Sequence, residues 1–409
     1  MSTRTDIEEL VGFTARGPGT DAERRAAQHL GRRLESLGRD AESEATWIRP
    51  GWPLAWTAYV LMGLVGSVAA TRAPVAGAAI AAAALLLAIA DLSGRIHLGR
   101  RVTGRRASQN VVSREDGGRP GTLVLVAHYD AARTGYVYGR LAERRAAFGR
   151  RTGRPLGAFE PVVWSLAIVL VCALLRVADV DATPVAIVQF VATVVLIVAV
   201  PLLADIALSA TGPGASDNAS GVATVLRLAE LYGDDLDHFD VWVLFTGAEE
   251  ALAEGMREFM RRHRRDLDPT STIFLNVDTV GAGTVRYSRR EGPLMAARLH
   301  PRVIELCDQI AAEDADEGRY GARAITIRAV TDAVAARRAR FPTVTVTCRN
   351  AIDHAPNLHR HSDTPDQVDD DALERAFGFC SELIELIDER IGPDVAAARS
   401  AAAEGFSTA

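Results

Sequence analysis

The chain has 409 residues, of which 24% are charged and 48% hydrophobic, and its formal net charge is −6. Single cores stop growing near roughly 250–300 residues, so this length allows one large α/β domain with something added to it. There is no basic surplus, and the arginines gather beside apolar blocks rather than along one surface, which excludes nucleic acid as a partner.

From Met1 through Glu9 the chain is polar and acidic and has no apolar core of a signal peptide, so export by a cleaved signal is not expected. Thr20 and Glu23 form a capping box, Ala26, Leu30, Leu34 and Leu37 recur on one face, and Gly38 ends the pattern. This predicts an ordinary surface helix. Residues 53–70 and 75–90 then run without a charge and are joined by Thr71, Arg72, Ala73 and Pro74. A bilayer core needs ~20 apolar residues, so the two runs read as a transmembrane hairpin. A second pair follows at 161–175 and 184–204, with Arg176, Asp179 and Asp181 between its members.

Arg95, Arg100, Arg101, Arg105 and Arg106 follow the first pair, and Arg140, Arg144, Arg145, Arg150, Arg151 and Arg154 precede the second. Each internal connection carries a single arginine. The positive-inside rule therefore predicts a multi-pass protein of the cell membrane with its polar domain in the cytoplasm and a lipid bilayer as partner. Cys172, Cys307, Cys348 and Cys380 lack metal-type pairing, which fits a reducing compartment.

Outside the hairpins, short β-rich runs alternate with helical patterns, predicting an α/β fold with a mostly parallel central sheet flanked by helices. Strands are expected at 122–127, 240–245, 272–277 and 343–347, and helices at 220–232, 249–262, 301–312 and 372–391. The polar domain is then discontinuous, built from 1–52, 93–158 and 209–392. Segments 53–92 and 159–208 form the hairpins, and the Ala-rich stretch 393–409 is expected to be a disordered tail.

The chemistry sits at the carboxyl ends of the predicted strands, where open α/β sheets place their sites. The first strand ends in His128, Tyr129 and Asp130, an imidazole with a carboxylate able to orient it. Asp217 lies in a tight polar turn leading into a helix; an N-cap would explain it alone, but a carboxylate there can also bridge two cations. Glu249 and Glu250 follow the next strand. Adjacent acids at a helix start favour the macrodipole, yet one can also hold a metal while its neighbour moves a proton. Asp278 ends a further apolar run, and His359 and His361 lie just before the C-terminal helix. Acids and imidazoles from so many strand ends suit nitrogen and oxygen ligation of zinc.

These strings resemble the co-catalytic zinc exopeptidases of metallopeptidase family 28, a family of aminopeptidases, some carboxypeptidases and glutaminyl cyclases. The resemblance runs through His128-x-Asp130, Asp217-Asn218-Ala219-Ser220-Gly221, Glu249-Glu250, Asp278 and His359-x-x-x-Asp363-Thr364-Pro365-Asp366. It implies two Zn²⁺ ions bridged by Asp217, one sphere completed by His128 and Asp278 and the other by Glu250 and His359. It also implies Glu249 as general base, Asp130 as the residue that orients His128, and a peptide with a free N-terminus as substrate. His359 is preferred over His361 because the family places its ligand four residues before the Asp of the Asp-Thr-Pro-Asp string. The departure from the family is the separation of 89 positions from His128 to Asp217, which takes in the entire second hairpin. Two rivals stand beside the aminopeptidase reading: glutaminyl-cyclase-type acyl transfer on one zinc, and a catalytically inactive membrane scaffold.

Overall fold

The computed structural model describes residues 2–94 and 97–407, with side chains through 401, so Arg95 lies outside the described residues. In chain order the elements are α1 (Thr3–Val11), α2 (Asp21–Ser36), β1 (Glu42–Ile48), α3 (Trp52–Ala70), α4 (Pro74–Ser93), β2 (Arg106–Ser113) and β3 (Gly121–His128). Then come α5 (Arg140–Thr152), α6 (Glu160–Val177), α7 (Thr183–Leu208), α8 (Ser220–Tyr232), β4 (Phe239–Thr246), α9 (Glu254–His263) and β5 (Thr272–Val277). The rest are β6 (Thr284–Glu291), β7 (Ala297–Arg298), α10 (Pro301–Glu317), β8 (Arg323–Ile327), α11 (Asp332–Arg338), β9 (Thr343–Arg349), α12 (Asp370–Arg390) and α13 (Gly392–Ser407).

One sheet in the order β1-β2-β4-β3-β5-β9-β6-β7, with β8 on β6, carries the fold. Strands β4, β3, β5 and β9 are parallel neighbours, whereas β1, β2, β6 and β7 pair antiparallel at the flanks. The expected central sheet flanked by helices is present, and it is mixed rather than mostly parallel. The parallel strands are buried on both faces and accordingly read as unbroken apolar runs, such as Leu123 to Ala127. Strand β1 instead alternates exposed and buried positions, as a half-covered edge does.

Helices α3, α4, α6 and α7 have 19, 20, 18 and 26 residues and are long and apolar enough to cross a membrane. They pack into one bundle whose outward face carries Leu61, Val65, Val68, Leu86, Trp164, Val171, Phe190 and Val191, all exposed. A continuous apolar belt of this kind marks a surface that water does not cover. Inside the bundle, close small-residue and polar contacts accompany an apolar core that includes Trp56, Leu166 and Leu196. A Cβ on Gly77 would lie 2.4 Å from the Ala70 backbone nitrogen, so α3 and α4 approach this closely only because glycine is there. The Ser67 and Thr193 hydroxyls meet at 2.7 Å, and the Gln189 amide donates to Ser67 O at 2.7 Å, bonds that hold α3 to α7.

The bundle is fused to the domain below it. Arg100, fully buried, meets Asp91 of α4 and Glu254 of α9 at 2.7 Å each, and the Trp56 indole donates to Asp91 at 2.9 Å. Leu252 and Ala253, from the domain, belong to the bundle's own apolar core.

The expected disordered tail is not what forms. Helix α12 passes through Ile391, and α13 continues to Ser407, with Val395 buried in the main core and Arg302 bridging Asp394 at 2.7 Å. The Ala-rich composition that suggested disorder is also good helix composition once one apolar anchor is buried. Residues 408–409 lie outside the described residues. The four cysteines are buried and unpaired.

Candidate metal centre

The carboxyl ends of β3, β4 and β5 converge beside the N-terminus of α8, and each delivers one part of the site. His128 is the last residue of β3; its Nδ1 lies 3.2 Å from the Asp130 carbonyl oxygen, leaving Nε2 to face inward. There it lies 3.3 Å from Asp217 Oδ1 and 3.8 Å from Asp278 Oδ1. On the other side His359 Nε2 lies 3.0 Å from Asp217 Oδ2 and 3.2 Å from Glu250 Oε1. Asp217 thus sits between two imidazoles, each of which faces a further carboxylate. Ligating atoms of His128, Asp217 and Glu250 all come within 4.8 Å of one another. His361 does not join them; its Nε2 meets the Thr134 hydroxyl at 3.2 Å.

The Asp130 carboxylate lies 3.7 Å from His128 Nδ1 and also serves the next turn. Its oxygens accept the backbone N–H groups of Glu249 at 3.0 Å and Glu250 at 3.1 Å, while only its main-chain carbonyl meets His128 within hydrogen-bond distance. Asp130 therefore fixes the turn that presents the two glutamates. That turn is not the start of a continuous helix: a 3-10 turn spans Glu249–Ala251, Leu252 and Ala253 adopt left-handed φ of 69° and 56°, and α9 begins at Glu254. Left-handed non-glycine residues cost of order 1–3 kcal/mol and gather where a site over-determines the backbone. Thr279 and His359, with φ of 58° and 53°, belong to the same group.

Residues distant in sequence hold the rest. Asp363 accepts the Ser216 and Asp217 N–H groups at 2.8 and 3.0 Å, and the Thr279 hydroxyl lies 2.7 Å from Asp278 Oδ1 and 3.2 Å from Asp217 Oδ1. The buried Arg16 guanidinium donates to Tyr129 O at 2.8 Å and Gly214 O at 2.6 Å, joining the end of β3 to the Asp217 turn. Asp332, also buried, accepts from Thr246 Oγ1 at 2.5 Å at the end of β4. Sequence reasoning missed Arg16 and Asp332 altogether, and met Asp363 only as part of a string. The cue for Asp332 was the Thr331-Asp332 pair at a helix start, too common a pattern to single out.

Helix α2 is likewise not an ordinary surface helix. Glu23 is fully buried; its Oε2 accepts Gly19 N–H at 2.7 Å, and its Oε1 accepts the Ala248 N–H at 3.0 Å and the Ser108 hydroxyl at 2.8 Å. Burial pushes its carboxyl up to about 8, with Asp130 adding to the rise. Between the ordinary 4.5 and about 8 the folded chain keeps a proton that the unfolded chain has released, so stability falls as pH rises across that window. The midpoint of thermal unfolding should decline over this range, and Glu23→Gln should flatten the decline; a midpoint rising with pH and unmoved by the substitution would contradict this.

The electrostatics of the cluster call for positive charge. Burial alone would lower His128 and His359, but the facing carboxylates outweigh it and hold both imidazoles well above 6.5. Burial would raise Asp217, but the two imidazoles hold it well below 3.8. Burial and the neighbouring acids Glu250, Asp332 and Asp278 push Glu249 well above 4.5. Asp217 Oδ2 is buried and accepts no hydrogen bond. Two imidazoles turned Nε2-inward on buried carboxylates, with such an oxygen between them, form a donor set that fits a divalent cation of zinc type.

Sheet, strand-end donors and covering helices define the class: an α/β protein of the zinc-exopeptidase fold. Residues 198–384 match the family model of Peptidase family M28. Among solved structures the chain is similar to a leucine aminopeptidase precursor from Bacteroides thetaiotaomicron, at 15% identity and TM-score 0.52 over 94% of this chain and 95% of that one. It is similar also to a Zn-dependent exopeptidase from Parabacteroides distasonis, at 13% identity and TM-score 0.53 over 95% and 97% of the two chains. A glutaminyl cyclase from Bacteroides thetaiotaomicron shares the fold, at 14% identity and TM-score 0.53 over 94% and 96%. A curated relative, the vacuolar membrane protease of Schizosaccharomyces japonicus, is 38% identical over 73 residues, which are 18% of this chain and 8% of that protein.

Proposed function

We propose that this chain is a membrane-anchored, zinc-dependent exopeptidase of aminopeptidase type with two zinc ions. The observation that carries it is the Asp217 carboxylate set between His128 and His359, each imidazole backed by its own second acid, Asp278 or Glu250. On this reading Asp217 serves both ions. Zinc, when bound, supplies the Lewis acidity that lowers the pKa of water and polarises a scissile carbonyl.

The chain's own residues do the rest. On this reading the Glu249 carboxylate, which lines the cavity beside the donors, takes a proton from the attacking water and returns it to the leaving nitrogen. Asp130 holds Glu249 in place by its main chain, and burial of His128, Asp217 and Glu249 limits access of bulk water. The acids lining the cavity offer acceptors for the free α-amino group of a peptide. The domain-side ends of α4 near 93 and α6 near 160 adjoin the arginine-rich segments 100–106 and 140–154, which supports a bilayer anchor with the peptidase domain in the cytoplasm.

Purified full-length protein should hold two zinc ions per chain by elemental analysis, hydrolyse aminoacyl arylamides, and lose that turnover to a chelator with recovery on zinc addition. One zinc per chain together with cyclisation of N-terminal glutamine, and no arylamide turnover, would overturn the reading in favour of cyclase chemistry.

A further inference from the structure

The metal centre adjoins two cavities, and one of them, lined by Glu250 and His359, also meets the polar residues Thr20, Arg106 and Arg133. The other is larger. The donors form one wall of this cavity of about 560 Å³, whose other walls come from the apolar bundle: Trp52 of α3, Val162 of α6, and Val194, Val198, Leu202 and Ile206 of α7. At ~1.5 Å per residue, the α7 wall from Val194 to Ile206 runs about 18 Å away from the domain, well inside a helix long enough to span a bilayer. The volume is within the roughly 300–1,000 Å³ of small-molecule sites. Its lining changes character along its length, from carboxylates, imidazoles and the Arg145 and Arg349 guanidiniums to side chains without a polar atom. Val194 and Val198 line the apolar end of the cavity and are 39% and 53% exposed, so that end is open rather than enclosed.

A polar site at one end of a cavity whose other end is apolar and open suits an amphiphile. Resting on the exopeptidase reading, we infer that the substrates are peptides whose N-terminal residue bears a long apolar group, and that this group enters from the bilayer and lies along α7 while its amide meets the donors. The seam is built into the domain, because the Trp52 indole donates to Glu250 O at 3.0 Å, so the cavity's apolar wall and the donor turn are fixed to each other. A soluble peptide has no part to fill the outer half. A segment partitioned in lipid presents its apolar group at the depth where the opening lies.

The test uses the full-length zinc-loaded protein in phospholipid nanodiscs and p-nitroanilides of alanine, α-aminohexanoic, α-aminooctanoic and α-aminododecanoic acids. Apolar pockets discriminate roughly 10–200-fold for one methylene at best, so kcat/KM should rise by about a hundredfold or more along the series. Val198→Trp, which fills the outer half, should lower the ratio of longest to shortest by about tenfold. Leu86→Trp, on the outer face of α4 away from the cavity, controls for simple partitioning and should leave the ratio unchanged. As a readout independent of turnover, α-aminododecanamide with a terminal diazirine is photo-cross-linked to the chelator-treated protein, and labelled peptides are mapped by mass spectrometry. Labelling within 194–206 is expected. Turnover that is flat with chain length, or labelling confined to other segments, overturns the inference and leaves the exopeptidase reading standing. Labelling within 194–206 with no turnover of any arylamide keeps the cavity assignment and overturns the exopeptidase reading.

Discussion

Glu249→Gln is expected to lower kcat by about 10²–10⁴-fold, the range for loss of a positioned acid–base group, with zinc content unchanged. Glutamine keeps the size and the backbone of Glu249, and the turn is held independently through the Asp130 carboxylate on the N–H groups of Glu249 and Glu250. The substitution therefore removes proton transfer and little else. Elemental analysis beside steady-state kinetics separates this from Asp217, whose carboxylate faces both imidazoles and whose replacement should empty the site. A loss of turnover below about tenfold in Glu249→Gln would assign the proton to another group, and the buried Asp332 would then be the first to examine.

Arg100→Ala should be the most destabilising single change at the junction between bundle and domain, by about 3–5 kcal/mol, because it strands buried charge rather than merely deleting a contact. Arg100 is fully buried and lies 2.7 Å from both Asp91 and Glu254, and its Nη1 also donates to Ala251 O at 2.9 Å. Alanine leaves a buried carboxylate at the end of α4, whose remaining neighbours are the Trp56 indole and the His97 imidazole. The same substitution frees the turn immediately after Glu250, so the folded fraction should also lose turnover. Thermal unfolding of the detergent-solubilised protein, read together with specific activity, checks both. An unfolding midpoint within a degree or so of the parent would show that the network contributes nothing to the junction.

The donors were legible because each one closes an apolar run or opens a helix: His128 after Leu123 to Ala127, Asp278 after Ile273 to Val277, and Glu249-Glu250 just beyond Phe245. Burial on both faces makes such strands stand out in a sequence, and their last residues follow at once. Strands β1 and β2 carry no such signal, since polar residues such as Ser43, Thr46, Ser108, Gln109 and Asn110 interrupt them, and so the antiparallel flanks of the sheet went unread. The break between Glu250 and α9 was equally silent. Leu252 and Ala253 look like helix formers, and they take left-handed backbone because their side chains are drawn into the bundle core, a contact between distant segments. Arg16, Glu23 and Asp363 act on main-chain groups as far as 225 positions away, and no local pattern records which N–H or carbonyl a buried charge will meet.

The placement of the second hairpin has a consequence for biogenesis. His128 is made before α6 and α7, whereas Asp217, Glu249, Glu250, Asp278 and His359 are all made after them, and β3 finds both of its sheet partners, β4 and β5, only in that later portion. With both hairpins seated in lipid, the emerging chain must complete its fourth passage before β3 has a neighbour on either side. On the proposed reading, the centre closes around a metal only once both hairpins are inserted, which couples the appearance of hydrolytic activity to completed membrane integration.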